Sequence, residues 1–321
     1  MNKITNKYIS VIIGAGRIAS GFYDPKSRQI LTHAHAYIKN PQTELFGIYD
    51  INFNIAKEAA KKWNCKAYDN LDKMMQEARP DIVSICTPDK DHYKSLKYVA
   101  KYRPKIVICE KPLTQNLSDT KKIISLYKKH GISLMINYSR RFDEVIQKIQ
   151  KDILKKKYGS IQSASAIYTK GILHNGSHII DLAHFLFGGI KSIKALASII
   201  DYSNKDKTVS AKMSFARCPQ FFITGVNDNN YPIIEFDILF EKARFRYYDF
   251  GFNAQIQTIS DDPIFKGFKS LSEPKQIKTQ LLSALPNLIK NIVAFLDKKE
   301  DLICGAIDAL QTQETCEKLL K

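Results

Sequence analysis

Two residues whose side chains can move protons stand in distinctive short segments. Lys111 lies in Glu110-Lys111-Pro112 at the end of an apolar run, and His178 begins a helical pattern in the second half of the chain. An imidazole titrates near neutral pH and can accept a hydroxyl proton, and an amine in a closed pocket beside a cation can share one. The two residues therefore predict acid–base chemistry. A surface lysine before a proline and a helix-capping histidine are the alternatives.

A glycine-rich turn lies upstream of both residues. The sequence GAGRIA occupies Gly14–Ala19 and follows the strand-like run Tyr8–Ile13. In this Gly-x-Gly-x-x-Ala pattern the first glycine permits a tight turn, the second lets the backbone approach a pyrophosphate, and the small third residue lets a helix pack on the strand. The N-terminus of that helix presents free N–H groups to the anion. The pattern predicts a dinucleotide site, with a plain turn as the alternative, and its predicted contact residues are Gly14, Gly16, Arg17 and Ile18.

The end of the second strand-like run bears on the choice of cofactor. Asp50 follows Leu45–Tyr49, and a carboxylate there accepts hydrogen bonds from the adenosine ribose hydroxyls, which favours NAD over NADP. Asp50 lies farther from the turn than the pattern usually places it. The segment Phe22–Thr32 is rich in turn formers and predicts an insertion that accounts for the distance. The alternative for Asp50 is an ordinary turn residue at a strand end.

Residues after the next strand-like runs complete the predicted cofactor site. Thr87 and Pro88 directly follow the run Ile82–Cys86. In an open parallel sheet, ligands bind beyond the carboxyl ends of the strands. His92 suits this cleft and a capping or solvated position equally well. The predicted lining of the cofactor cleft is therefore Thr87, Pro88, His92, Glu110 and Lys111.

The apolar runs predict an α/β protein with two domains. Up to residue 138, runs that are apolar throughout alternate with amphipathic helical stretches, which is typical of a doubly wound parallel sheet covered on both faces. Later in the chain, Ile234–Phe240 alternates apolar and polar residues before a turn at Glu241-Lys242, which predicts an antiparallel hairpin. The predicted domains are an NAD(P)-binding Rossmann domain at 1–138 and an α+β domain for substrate binding and oligomerisation at 139–321.

Composition restricts the class of protein. The 321 residues are 44% hydrophobic and 25% charged, as in soluble globular proteins, and no apolar run reaches the roughly 18 residues that span a bilayer. The first apolar stretch is too short for a signal peptide, which favours a cytoplasmic location. The six cysteines are irregularly spaced and form no Cys-x-x-Cys pair, so neither a metal site nor disulfides are expected. The net charge of +17 is scattered and rich in lysine, so we expect no nucleic-acid or membrane partner and only a mild attraction for phosphorylated or carboxylated small molecules.

The segments GAGRIA, CTPDKDH, EKP and NYSRRF, in this order, resemble the Gfo/Idh/MocA family of glucose–fructose oxidoreductase and inositol dehydrogenase. The segment Gly176–Asp181 is similar to the family's Gly-x-His-x-x-Asp segment. The resemblance implies a Rossmann domain followed by a domain with an open, mostly antiparallel sheet, through which members commonly form dimers or tetramers. It also implies hydride transfer between NAD(P) and the C–OH of a sugar, cyclitol or related compound. His178 would be the main proton acceptor, while Lys111 would position the hydroxyl oxygen and assist the transfer.

One position departs from the family pattern. Members usually have an Asp four residues before the catalytic histidine, where this chain has His174. We expect His174 to take over hydrogen bonding in a less negative pocket that favours an anionic substrate, such as a sugar phosphate or a nucleotide sugar. An impaired redox step is the alternative. The candidates for binding the substrate charge are Arg140, Arg141 and Lys170.

Three further residues near these segments have predicted roles. Asn137 and Arg141 stand where the family has an Asn and basic residues facing the cleft, so they are substrate-site candidates, with interdomain packing as the alternative. Asp181 lies about one helical turn after His178, and we expect it to orient the helix rather than to react.

Two other functions would use the same residues. A glycosidase of this fold reduces and reoxidises NAD within one turnover, so it releases a leaving group without a net change in nicotinamide absorbance. A non-enzymatic sensor would bind the dinucleotide and regulate a partner. The presence of both Lys111 and His178 favours an enzyme over the sensor, because a protein without catalysis has no need to keep both.

Overall fold

The structure, a computed structural model, describes residues 7–22 and 24–321. The first part of the chain alternates strands and helices, as the apolar runs predict. One short strand, Lys66–Tyr68, is not indicated by those runs. The elements are β1 (Tyr8–Ile13), α1 (His33–Lys39), β2 (Thr43–Tyr49), α2 (Phe53–Trp63), β3 (Lys66–Tyr68), α3 (Leu71–Ala78), β4 (Ile82–Ile85), α4 (His92–Val99), β5 (Ile106–Cys109), α5 (Leu117–His130) and β6 (Ser133–Ile136).

These strands form one parallel sheet in the order β3-β2-β1-β4-β5-β6. Strands β4 and β5 are buried along their whole length, as expected for a sheet covered on both faces. The order reverses between β1 and β4, and ligands of doubly wound sheets bind at such a switch point, beyond the carboxyl ends of the strands. The predicted doubly wound sheet is therefore confirmed, and its carboxyl edge is where a dinucleotide is expected.

Asparagine side chains fix where three helices of this part begin. Asn52, Asn70 and Asn116 each accept a hydrogen bond from a backbone N–H in the first turn of α2, α3 and α5. The first N–H groups of a helix have no partner within the helix, so a side-chain acceptor at this position stabilises the start of the helix by about 1 kcal/mol. These caps thus fix the residue at which each helix begins after the preceding strand.

The second part of the chain is rich in strands. No helix in the ranges 7–22 and 24–321 has both the length and the apolar character needed to cross a bilayer. The elements are α6 (Glu144–Leu154), β7 (Ile161–Tyr168), α7 (Ser177–Phe187), β8 (Ile190–Ser203), β9 (Asp206–Phe215), β10 (Phe221–Gly225), β11 (Ile234–Phe240), β12 (Ala243–Tyr248), β13 (Asn253–Asp261), β14 (Lys269–Leu271), β15 (Lys275–Lys278), α8 (Ala284–Leu296) and α9 (Ala306–Leu319).

A second sheet contains the strands of this part in the order β14-β13-β12-β11-β7-β10-β9-β8, with β15 paired to β13. Only β7 and β10 run parallel; the other pairs are antiparallel. In the predicted hairpin, Ile238 lies opposite Phe245 and Phe236 opposite Tyr247, and all four side chains are buried. The mixed, mostly antiparallel sheet confirms the predicted fold class.

The chain divides into two compact units that differ from the predicted domains. Unit 1 contains the residues up to Phe142 together with Leu282–Leu310, and unit 2 contains Asp143–Leu281 and Gln311–Lys321. The first boundary falls close to residue 138, but α8 and the start of α9 belong to unit 1 rather than to the C-terminal domain. The apolar stripe of an amphipathic helix shows which face is buried, but not which other elements cover it. The sequence pattern therefore could not assign these helices to a unit.

Candidate cofactor and substrate sites

The turn after β1 has the backbone that its glycines imply. Gly14 has a φ of +89°, and a Cβ atom there would lie 2.8 Å from the carbonyl oxygen of Cys86 and 2.9 Å from the backbone nitrogen of Thr87. Only glycine fits this combination of positive φ and close approach. Gly16 is exposed, and no heavy atom lies within 4 Å of the position where its Cβ would be. The surface above Gly16 is therefore bare, and a ligand can approach the backbone there.

The turn opens a shorter helix than the pattern predicts. Residues Arg17–Gly21 form a single wide helical turn, closed by the Phe22 N–H donating to the Arg17 carbonyl at 3.1 Å. The next α-helix, α1, begins only at His33, after the predicted insertion. A helix of ordinary length therefore does not point its N-terminus at the turn. Any anion bound here would depend on the local backbone and on Arg17, which is exposed and has no ion pair within the described residues.

Asp50 lies at the carboxyl end of β2, as predicted, and has a second role that the sequence did not indicate. Its Oδ2 accepts a hydrogen bond from the Ala15 N–H at 2.8 Å, and its Oδ1 accepts one from the Asn52 N–H at 2.9 Å. The carboxylate thus braces the glycine turn against the end of β2. Each carboxylate oxygen has a second lone pair, so Asp50 can still accept a hydroxyl from a ligand.

Two buried oxygens at the carboxyl edge of the first sheet have no hydrogen-bond partner within the described chain. They are Oγ1 of Thr87, after β4, and Oδ1 of Asn137, after β6. Unsatisfied buried polar atoms are rare in folded proteins and usually mark a place for a ligand or water. Together with the bare surface at Gly16, they fit a dinucleotide lying along this edge. Pro88, beside Thr87, is exposed.

His92 connects two loops of this edge. It is fully buried, and its ring nitrogens lie 2.7 Å from the Pro112 carbonyl oxygen and 3.0 Å from the Thr87 carbonyl oxygen. Both ring nitrogens thus lie against backbone carbonyl oxygens, and a neutral ring donates a hydrogen bond to one of them. His92 is therefore neither solvated nor turned toward a ligand. Its ring fixes the loops that carry Thr87 and Lys111.

Glu110 is held by two donors of unit 1. Its Oε1 accepts hydrogen bonds from His33 Nε2 at 2.8 Å and from Asn137 Nδ2 at 2.7 Å. Burial acts to raise the pKa of Glu110, but the hydrogen bond and electrostatic attraction from His33, together with the hydrogen bond from Asn137, outweigh it, so this pKa lies below its ordinary value. Lys111, the next residue, is half-buried. A carboxylate therefore stands beside the predicted catalytic amine in the chain.

The predicted substrate residues of unit 2 lie in and around one turn, Gly171–Gly176, which leads into α7. Two carboxylates hold this turn. Asp201 accepts the Lys170 N–H at 2.8 Å, and Asp206 accepts the N–H groups of Leu173 at 2.8 Å and His174 at 3.0 Å. Burial raises the pKa of Asp206, against the effect of these N–H donors. No sequence pattern indicated either carboxylate, because both reach the turn from distant positions in the chain.

Tyr202 on β8 brings two of these residues together. The ring of His174 stacks on the ring of Tyr202 with centroids 4.9 Å apart, and Lys170 Nζ lies 5.6 Å from the centre of the same ring. Stacking and cation–π contacts of this kind fix both the plane of an imidazole and the position of an ammonium group. Sequence reasoning missed Tyr202, since an exposed tyrosine in a strand carries no pattern of its own.

The other predicted residues divide between the surface and the interior of their units. His178 is the second residue of α7 and half-buried, and Ile18 is half-buried in the turn after Gly16. Asp181 is buried and accepts a hydrogen bond from Thr312 Oγ1 at 3.3 Å, in keeping with a structural role.

Arg140 and Arg141 are both buried. Arg141 is only 2% exposed, and its Nη1 donates to Asp308 Oδ1 at 2.8 Å and to the Ile303 carbonyl at 3.2 Å. These contacts favour a packing role for Arg141 within unit 1 over a contact with substrate. The proposed substrate site therefore does not include Arg141.

Comparisons with known proteins agree with these observations. Residues 10–138 match the model of an oxidoreductase family with an NAD-binding Rossmann fold, Gfo/Idh/MocA. D-glucoside 3-dehydrogenase from Escherichia coli (strain K12) is 25% identical over 206 residues, which are 57% of this chain and 56% of that protein. The chain thus spans about half the length of this relative.

Solved structures share the fold over nearly the whole chain. A putative NADPH-dependent oxidoreductase from Desulfitobacterium hafniense has a TM-score of 0.82 at 16% identity, covering 97% of this chain and 94% of that one. The WlbA dehydrogenase from Bordetella pertussis, in complex with NADH and UDP-GlcNAcA, has a TM-score of 0.77 at 17% identity, covering 98% and 96%. At these identities the likeness establishes the fold alone. Residues 10–138 of this chain are thus similar to the NAD-binding Rossmann domain of the Gfo/Idh/MocA oxidoreductase family.

Proposed function

We propose that this protein is an NAD(P)-dependent oxidoreductase that transfers hydride between a nicotinamide and the C–OH carbon of a sugar, sugar phosphate or nucleotide sugar. The observation that carries the proposal is the glycine turn after β1, where the positive φ of Gly14 and the bare surface of Gly16 leave room for a pyrophosphate. The match of residues 10–138 to an oxidoreductase family with an NAD-binding Rossmann fold supports the reaction class.

The cofactor would be held by residues at the carboxyl edge of the first sheet. Gly14, Gly16 and Arg17 would contact the phosphates, and Thr87 and Asn137 would satisfy their buried oxygens on the ligand. Asp50 favours NAD, because a carboxylate accepts the adenosine ribose hydroxyls and repels the 2′-phosphate of NADP. When bound, the nicotinamide supplies the acceptor or donor of the hydride.

The acid–base work belongs to His178 and Lys111. As the substrate C–H bond loses its electron pair as hydride, the O–H bond must break, and its electrons form the new carbonyl. His178 takes the proton from the hydroxyl, since imidazole accepts protons near neutral pH. Lys111 positions the hydroxyl oxygen by hydrogen bonding and assists the transfer. In the reverse direction the same groups return the proton to the alkoxide oxygen.

The substrate proposed for this site carries negative charge. His174 stands where family members usually have Asp, and Lys170 lies near the same tyrosine ring, so the turn presents two basic groups. Both side chains are oriented by Tyr202 rather than left mobile. The WlbA dehydrogenase, which shares the fold, was solved with the anionic sugar nucleotide UDP-GlcNAcA, and this supports a phosphorylated or carboxylated sugar as substrate.

A turnover screen with a matched lysine variant tests the proposed reaction. Phosphorylated sugars, free sugars, cyclitols and nucleotide sugars are each incubated with NAD or NADP, and nicotinamide absorbance is followed. We expect Lys111→Ala to lower turnover by roughly 10²–10⁴-fold, because it removes an acid–base group, while NADH affinity stays within about threefold. Lys122→Ala, which removes an exposed lysine paired with Asp119 on α5, should leave turnover unchanged.

Other outcomes would contradict parts of the proposal. Full turnover in Lys111→Ala would remove Lys111 from the mechanism. Release of a leaving group without net absorbance change would indicate the glycosidase, and NAD binding without turnover of any compound would indicate the regulator.

A further inference from the structure

A chain of buried polar groups runs through unit 1 to Glu110. His33 and Tyr37 are the first and fifth residues of α1, so they face the same side of the helix. The hydroxyl of Ser84, on β4, lies 2.6 Å from the Tyr37 hydroxyl and 3.0 Å from His33 Nδ1. His33 Nε2 then lies 2.8 Å from Glu110 Oε1. Tyr37, Ser84 and His33 are all fully buried.

For a neutral His33 ring, the hydrogen bonds of this chain can point in one direction only. An ionised carboxylate accepts but does not donate, so His33 Nε2 carries the proton in the bond to Glu110. Within the described residues, Ser84 is the one acceptor in reach of the Tyr37 hydroxyl proton, and a buried hydroxyl without an acceptor is costly. Tyr37 therefore donates to Ser84, Ser84 donates to His33 Nδ1, and His33 donates to Glu110.

This arrangement leaves one oxygen of Glu110 available. Oε1 accepts from both His33 and Asn137, whereas Oε2 has no hydrogen-bond partner among the described residues. The Glu110 side chain is 16% exposed, and Oε2 is not among the fully buried unsatisfied atoms, so solvent or a ligand can reach it. Glu110 follows β5 at the carboxyl edge of the sheet, where a dinucleotide is expected.

We propose that Tyr37, Ser84 and His33 form a one-way hydrogen-bond chain that fixes Glu110 as an ionised acceptor, whose Oε2 receives a hydroxyl or amide N–H of the bound coenzyme. His33 is then a positioning residue, because it acts on the coenzyme only through Glu110. This inference rests on the proposed function for the identity of the ligand. The direction of the chain is independent of that function and is a property of the free protein.

Coenzyme affinity, measured by titration of NADH fluorescence, tests the link between His33 and Glu110. We expect His33→Leu and Glu110→Gln each to weaken NADH binding by about tenfold, since each removes a hydrogen bond to a charged group. His33→Gln, which retains an N–H donor, should bind within about threefold of the wild type. The double variant should bind no more weakly than Glu110→Gln alone, because groups that act in series are not additive. If His33→Leu weakens NADH binding by the same factor in the Glu110→Gln protein as in the wild type, the positioning role is overturned.

Two tyrosine variants distinguish an effect of the hydrogen-bond chain on NADH binding from a general loss of stability. Tyr37→Phe removes the first donor, whereas Tyr127→Phe removes another buried hydroxyl of unit 1, which donates to the Leu96 carbonyl at 3.0 Å. Both should lower the melting temperature by a similar amount. Only Tyr37→Phe should weaken NADH binding, by about threefold. Equal NADH affinities in the two variants would contradict the proposal.

Nitrogen NMR of the free wild-type protein tests the direction of the chain without any coenzyme. The expected spectrum shows His33 with one proton, on Nε2, and an unprotonated Nδ1. A proton on Nδ1 would overturn the one-way chain. Failure of the wild type to bind NADH would refute the proposed function, whereas normal binding by both the wild type and Glu110→Gln would refute this inference alone.

Discussion

At the scale of single residues, carboxylates hold several of the turns that carry predicted site residues. Asp50 braces the glycine turn, Glu110 is the end of a buried chain that begins at Tyr37, and Asp206 holds the turn that contains His174. The sequence indicates which residue types could react. It does not indicate which of their donor and acceptor atoms already have hydrogen-bond partners within the protein. Arg141 illustrates the difference, since its guanidinium is committed to Asp308 inside unit 1.

Lys170 provides the sharpest residue-level test of substrate charge. If Lys170 binds a phosphate or carboxylate of the substrate, the wild type should turn over a phosphorylated sugar more efficiently than its free form. Lys170→Met should reduce that ratio of kcat/KM by about tenfold, which is the size expected for one charge-assisted contact, with little change for the free sugar. Steady-state kinetics on the two forms of one sugar gives the ratio.

The control for this test is Lys275→Met, which removes an exposed lysine of β15 in the same unit. It leaves the net charge of the variant equal to that of Lys170→Met, so a general loss of attraction for anions would appear in both. The same preference ratio in the wild type and in Lys170→Met would contradict the assignment. Equal efficiency of the wild type with both forms would contradict an anionic substrate altogether.

At the scale of elements, periodicity predicted most of the fold, and special backbone geometry explains most of the remainder. The bounds of β1 and β11 coincide with the predicted runs Tyr8–Ile13 and Ile234–Phe240. The three-residue strand β3 was missed because so short a run carries no period. The shape of the turn Gly171–Gly176 was also beyond prediction, since Lys170 and Gly171 both have positive φ and the turn is held by carboxylates from β8 and β9.

Gly171 tests whether that turn must keep its shape. Its φ is +74°, and a Cβ there would collide with the Asp206 carboxylate that accepts the Leu173 and His174 N–H groups. We expect Gly171→Ala to displace Asp206 and to lower kcat/KM by at least about tenfold, as misplacement of a positioning group does, with NADH affinity unchanged. Kinetics and NADH titration on the same preparation separate the two effects.

Gly267→Ala is the matched control for Gly171→Ala. Gly267 has a φ of +89°, but no heavy atom lies within 4 Å of its Cβ position. Both variants therefore carry the strain of an L-residue at positive φ, about 1–2 kcal/mol, and only Gly171→Ala adds the collision. If the two variants lose stability and activity equally, backbone strain alone accounts for the result and the Asp206 contact has no special importance.

At the scale of the molecule, the chain leaves unit 1 at Phe142 and returns to it at Leu282. Local sequence patterns cannot predict such a path. They predict which face of a helix or strand is buried, but not which surface covers that face. The same limitation applies to β8, whose burial pattern leaves most of its 14 residues exposed although it carries several large apolar side chains. A strand at the edge of a sheet with this character is typical of a surface that another chain covers.

We expect a second copy of this protein to cover β8. Leu196 is 57% exposed and Ile200 is 59% exposed, and β8 lies at one end of the second sheet, where its outer edge has no neighbouring strand within the described residues. Light scattering at micromolar concentration should give the mass of a dimer or tetramer for the wild type. The double variant Leu196→Glu and Ile200→Glu should be a monomer, because burying two carboxylates without partners opposes association. Ile264→Glu introduces a charge at a residue that is 79% exposed, beyond β13 at the other end of the sheet, and should leave the mass unchanged. A monomeric wild type, or dissociation by Ile264→Glu alone, would contradict assembly through β8.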